Sequence, residues 1–155
     1  MREGRLLPDY RTSTTIARPI AEVFAYISDV TTWSSWMNLE SMQPMAPDGL
    51  RVGARADGTL REGSQRMPFS MEITELDPGR RIGFRTLSGP IDWAGNWELS
   101  AVDENTTRVN ANGSMRLRGI RRLLEPLMAG EVRRSEAAEL TKLRALLEGE
   151  PSTAG

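Results

Sequence analysis

Apolar and polar residues alternate with period two through most of the chain from Tyr10 to Leu117, and the breaks in that alternation divide it into elements. Tyr10, Thr12, Thr14 and Ile16 alternate with Arg11, Ser13 and Thr15, which predicts a first strand ending at Arg18-Pro19. Ile20, Val23, Phe24 and Ile27 then follow helical spacing, with Pro19 suited to a helix N-terminus. Ser28-Asp29 breaks this short helix, and Thr31 or Thr32 is the expected cap of a second one carrying Trp33 and Trp36. After Asn38 the alternation resumes in segments separated by turn signals, the pattern of consecutive antiparallel strands. A weak strand is expected from Leu39 to Met45 and another from Val52 to Arg61, with Ala54, Ala56, Gly58 and Leu60 inward. Met67, Phe69, Met71 and Ile73 face inward up to the turn at Asp77-Pro78-Gly79, and Ile82 and Phe84 line the next strand. Ile91, Trp93, Gly95, Trp97 and Leu99, then Val109, Ala111, Gly113, Met115 and Leu117, complete the series.

From Ile120 the period changes to that of a helix. Ile120, Leu123, Leu124, Leu127 and Met128 share one face, while Val132, Leu140, Leu143 and Leu147 share another about a third of a turn away. Gly130 and Pro126 flank the changeover, so a kink or short lead-in helix near Ala129 is expected. Seven strands with one apolar face need a cover, and this long amphipathic helix is the element able to supply it. The prediction is an α+β sandwich: a seven-stranded antiparallel curved sheet, two small helices after the first strand, and a long C-terminal helix. Inward glycines and alanines opposite large side chains are expected to leave room or let the sheet bend, so that an internal cavity forms.

Composition narrows the chemistry more than it shapes the fold. The chain of 155 residues, with a net charge of -1, fits one domain and shows no bias toward nucleic acid or anionic membrane. No membrane span or secretion signal is apparent, and the cytoplasm is the expected location. The absence of both cysteine and histidine excludes disulfides, thiolate nucleophiles, zinc sites built on imidazole or thiolate, and every relay that needs a histidine. No cofactor or metal is expected, and acid or base chemistry would fall to Asp, Glu, Tyr, Lys142 or water.

Four stretches together carry a resemblance. They are Thr14-Thr15-Ile16-Ala17-Arg18-Pro19 running into Ala21-Glu22-Val23-Phe24-Ala25-Tyr26-Ile27; Ser28-Asp29 followed by Trp33 and Trp36; Glu75-Leu76-Asp77-Pro78-Gly79-Arg80-Arg81-Ile82; and Leu143-Arg144-Ala145-Leu146-Leu147-Glu148. With the element order, they make the chain resemble the helix-grip fold of the START-like (SRPBCC) superfamily, in its polyketide cyclase/dehydrase-like branch. The resemblance covers about Tyr10 to Glu148, and a single ligand-binding domain over 10–148 with tails at 1–9 and 149–155 is expected. It implies a cavity between sheet and long helix and an apolar small-molecule ligand (a lipid, polyketide or isoprenoid-like compound). It implies no shared catalytic residue.

The ligand-facing candidates are Met67, Phe69, Met71, Phe84, Trp93, Trp97 and Met115 on the strands, Trp33 and Trp36 on the small helices, and Met128 and Val132 on the long helix. Each singly reads as core. As a set, thioethers and aromatic rings beside glycine suit an adaptable pocket. Tyr10 and Glu136 are the candidate proton-transfer groups, Glu136 because it falls on the apolar stripe four residues from both Val132 and Leu140. Arg116, Arg118, Arg121 and Arg122 form a local basic cluster, read as solvated surface or as a docking point for an anionic group. Two functions stay open: binding or transport of a hydrophobic molecule without catalysis, favoured because no acid/base constellation appears, and a cyclase or dehydratase assisted by Tyr or Glu. No nucleic-acid partner and no stable membrane insertion are expected, and the chain is expected as a monomer or homodimer.

Overall fold

A computed structural model describes residues 9–44, 49–62, 64–117 and 125–149, the side chains of 9, 62, 117 and 125–132 excepted. Strand β1 (Asp9–Ile16) leads to helix α1 (Ile20–Ser28), a single 3-10 turn (Val30–Thr32) and the one-turn helix α2 (Trp33–Trp36). Strands β2 (Leu39–Met42), β3 (Arg55–Glu62), β4 (Gln65–Asp77), β5 (Arg81–Ser88), β6 (Ile91–Asp103) and β7 (Thr106–Leu117) follow, and α3 (Glu125–Leu147) closes the fold. The sheet order is β1-β7-β6-β5-β4-β3-β2, so each strand from β2 onward lies beside its successor, while β1 pairs with the last strand. The α1–α2 connection therefore spans from one sheet edge to the other. This is the α+β helix-grip arrangement that the alternation and the resemblance predict.

Local chemistry accounts for the turns. Pro19 precedes α1 in extended conformation, where its missing N–H costs nothing, and Val23 and Ile27 one turn apart are buried on the sheet side. The break after Ser28 is stabilised by Asp29, whose Oδ1 accepts from the Thr31 backbone N–H at 3.1 Å and the Thr31 hydroxyl at 2.6 Å. Asp29 thus caps the 3-10 turn; Thr32 stands at the N-cap position of α2, as expected, but its hydroxyl donates back to the Tyr26 and Asp29 carbonyls and makes no capping bond. The Trp33 indole N–H donates to the Ile27 carbonyl at 2.8 Å, pinning α2 to α1. At Asp77-Pro78-Gly79 the chain reverses through Gly79 at φ +82°, a conformation that glycine adopts without a Cβ penalty.

Three boundaries differ from expectation. β3 begins at Arg55, because Val52 is 57% exposed and Gly53, at φ +91°, turns the chain before Ala54 goes inward. β2 ends at Met42, residues 43 and 44 are not strand, and Met45, the expected last residue, lies outside the described residues. α3 runs unbroken from Glu125 past Ala129 and Gly130, with Pro126 in its first turn, where helices tolerate proline. The expected lead-in over 120–124 lies outside the described residues.

Helix α3 packs on β1 and touches α2 and β7. Leu140 and Leu143 are buried beneath it. Two backbone donors tether it to the rest of the fold: Ala17 N–H to Glu148 Oε2 at 2.7 Å, and Asn38 N–H to Glu139 Oε2 at 3.2 Å. Register shifts within the β4–β5 pairing mark bulges, which bend a sheet around a covering helix.

Candidate functional site

The inward side chains of the sheet divide into two zones. In the first, Trp33, Trp36, Phe84 and Trp97 interlock: Phe84 stacks on Trp97 at 5.2 Å between ring centroids, while Trp33 meets both edge-on and Trp36 meets Trp97 edge-on. Met71 is fully buried. All five are buried in the core, where α2 brings Trp33 and Trp36 down onto the sheet, and none of them lines the cavity described next.

The second zone is hollow. A cavity of about 270 Å³ lies between α3 and the end of the sheet where β6 begins. Phe69, Trp93 and Met115 line it, as their inward phase predicts, with Leu60 and Ile91 from neighbouring strands. The α2–β2 junction closes another side through Met37, Asn38 and Leu39. Ser135, Glu136 and Glu139 face it from α3. Met67 sits opposite Leu60 across the β3–β4 pairing and is half-buried without lining the cavity. The side chains of Met128 and Val132 lie outside the described residues, as do Arg118, Arg121 and Arg122.

The inward glycines do not themselves create the hollow. A Cβ on Gly58 would meet the Phe69 ring, and one on Gly113 would fall 2.5 Å from the Tyr10 hydroxyl and 2.6 Å from the Ala94 carbonyl oxygen. Aromatic rings already occupy the room these glycines leave. Tyr10, Gly113 and Gly95 are consecutive partners across β1, β7 and β6, so the Tyr10 ring lies over a two-glycine trough. There its hydroxyl accepts a hydrogen bond from the Trp93 indole N–H at 2.9 Å. Tyr10 does not line the cavity; it stands behind Trp93, 83 positions away in sequence.

Glu136 is the unusual wall residue. It is 4% exposed and makes no hydrogen bond or ion pair with the described residues. Burial, and then the neighbouring Glu139 carboxylate, push its pKa well above the ordinary carboxylate range, to about 9. Burial also raises Glu139, against the opposing effects of the Asn38 N–H and Lys142. The more easily ionised member of the pair is therefore Glu139, with Glu136 holding its proton at neutral pH. Burial raises the Tyr10 pKa, as does the Glu136 carboxylate once it is ionised, with the Trp93 hydrogen bond opposing them.

Of the remaining polar wall residues, Asn38, Thr86 and Ser135, the threonine is already committed. The Thr86 hydroxyl donates to the Ile91 carbonyl at 3.0 Å and accepts from the Trp93 backbone N–H at 3.0 Å. Thr86, Ile91 and the Met37–Leu39 junction were not among the sequence-derived candidates, since they sit at strand ends and a loop where periodicity carries little information. Glu139 did leave a signal: it lies one turn from Glu136, at the edge of the apolar stripe.

No helix among the described residues is long and apolar enough to cross a membrane. No curated protein matches the sequence. Among solved structures, an aromatase/cyclase (Zhui) of a Streptomyces species is 16% identical with a TM-score of 0.76, over 92% of this chain and 94% of that one. A Thermus thermophilus protein is 20% identical with a TM-score of 0.74, over 92% and 100%. A START superfamily protein from Mycobacterium smegmatis is 14% identical with a TM-score of 0.68, over 90% and 98%. At these identities the likeness is one of fold. The family model described as polyketide cyclase / dehydrase and lipid transport matches residues 8–148, and the chain belongs to that family.

Proposed function

We propose that the protein binds a compact hydrophobic small molecule between α3 and the sheet, and carries or presents it without changing it. The observation that carries this reading is the cavity of about 270 Å³, walled mainly by aliphatic, aromatic and thioether side chains. Its size is close to the lower end of ligand pockets, roughly 300 Å³, which favours a small ligand or one that protrudes from the mouth. Membership of a family described as including lipid transport supports the same reading.

The test is uptake of the neutral fluorophore N-phenyl-1-naphthylamine by the purified chain. The expected result is saturable binding at one site, lost in an Ile91→Trp variant whose indole fills the space while circular dichroism stays unchanged. Uptake that Ile91→Trp leaves intact would place the ligand elsewhere and refute the reading.

One observation favours a second reading, a cyclase or dehydratase acting on a polyketide-like substrate. Glu136 presents a carboxyl to an apolar cavity, and a carboxyl that keeps its proton at neutral pH is suited to general-acid work on a carbonyl oxygen. Some of the similar folds belong to aromatase/cyclases. Tyr10 stands one residue back from the cavity, so in this reading it positions Trp93 and does not meet the substrate. Conversion of a poly-β-ketone mimic by the wild type and not by Glu136→Gln would establish it.

A further inference from the structure

We infer that the ligand carries a basic nitrogen, and that its protonated amine pairs with the carboxylate of Glu136 inside the cavity. The inference rests on the binding reading above and specifies the chemistry of the ligand's polar end.

The donors and acceptors of the wall point this way. The Trp93 indole N–H is spent on the Tyr10 hydroxyl, and the Thr86 hydroxyl donates to the Ile91 carbonyl. The lining then offers the carboxyl groups of Glu136 and Glu139, with the Ser135 hydroxyl and the Asn38 side-chain amide as its other polar groups. Glu136 is 4% exposed and without a partner among the described residues, and the described lining contains no lysine or arginine. A carboxyl left in an apolar wall is costly unless something hydrogen-bonds to it. A ligand carboxylate would bring a third acid beside these two. A neutral carbonyl would engage only the Glu136 proton and would leave Glu139 unchanged. An ammonium answers both acids at once, and the rings of Trp93 and Phe69 offer faces that a cation favours.

Proton balance follows directly. Among the described residues, the titratable groups facing Glu136 are Glu139 on its own helix and Tyr10 on β1, with Lys142 acting on Glu139; the described strand residues lining the cavity do not titrate. When an ammonium enters, the carboxyl O–H bond of Glu136 breaks and its proton leaves to solvent, giving ammonium and carboxylate in contact. When the free amine enters, the same proton passes to the nitrogen and none is released.

The experiment uses three probes on one carbon skeleton, 3-phenylpropylamine, 3-phenylpropanol and 3-phenylpropanoate, titrated calorimetrically into the full chain. The expected order is amine, then alcohol, then acid, with the amine tighter than the alcohol by roughly tenfold or more. Titrations at neutral pH in buffers of different ionisation enthalpy should register proton release for the amine alone. In Glu136→Gln, checked for unchanged circular dichroism, the amine should bind no better than the alcohol and release no proton. Alcohol or acid binding as tightly as the amine would overturn the inference and leave the cavity reading standing. A preference for the amine that persists in Glu136→Gln would also overturn it. Failure of all three probes would overturn both.

Discussion

Replacing Glu136 by glutamine should make the protein more stable, and by an amount that depends on pH. In the unfolded chain the carboxyl ionises near its ordinary value of 4.5, whereas in the fold burial and Glu139 hold the proton to about 9. Between these values the native state binds more protons than the unfolded one, so wild-type stability falls as pH rises; below the lower value, and above the upper one, this contribution is flat. Glutamine is nearly isosteric with the protonated acid and does not titrate. The variant should therefore match the wild type near pH 5 and exceed it progressively above. With about 1.36 kcal/mol per pKa unit, the gap opening between pH 5 and pH 7.5 is on the order of 3 kcal/mol. For a chain of this size that corresponds to a rise in Tm of about 6–12 °C. Thermal melts of both proteins, followed by circular dichroism at half-unit steps from pH 5 to pH 9, measure it directly. A difference in Tm that does not change with pH, or one that shrinks as pH rises, would refute the claim that Glu136 is a buried carboxyl of raised pKa.

Two other substitutions test the packing behind the site. Gly113→Ala would place a methyl group 2.5 Å from the Tyr10 hydroxyl and 2.6 Å from the Ala94 carbonyl oxygen, and should cost about 1–3 kcal/mol by urea denaturation. Combining it with Tyr10→Phe should recover part of that loss, and strict additivity of the two would show that the ring does not occupy the trough. Leu143→Ala, at a side chain with 0% exposure under α3, should cost about 2–5 kcal/mol; a change below about 1 kcal/mol would mean that this face of the helix is not buried.

The sequence by itself determined the kind of fold. Strict alternation states which face of each strand is apolar, because successive side chains point to opposite sides of a pleated backbone. The switch to helical spacing after the last strand identifies the cover. The same spacing put Glu136 on the apolar stripe but left open a boundary residue reaching water or an arginine and a polar group on a pocket wall; the fold decided for burial. Tertiary structure decided where along that apolar face the protein is solid and where it is hollow. Trp93 and Trp97 share a strand face and a residue type, yet Trp97 is locked between Trp33, Trp36 and Phe84 while Trp93 borders open space. Alternation cannot separate them, since it reports direction and not what lies opposite. The answer depends on α1 and α2 reaching the middle of the sheet and on β1 crossing to pair with β7. That crossing also brings Tyr10 over Gly113 and within reach of Trp93, a contact that no local pattern encodes.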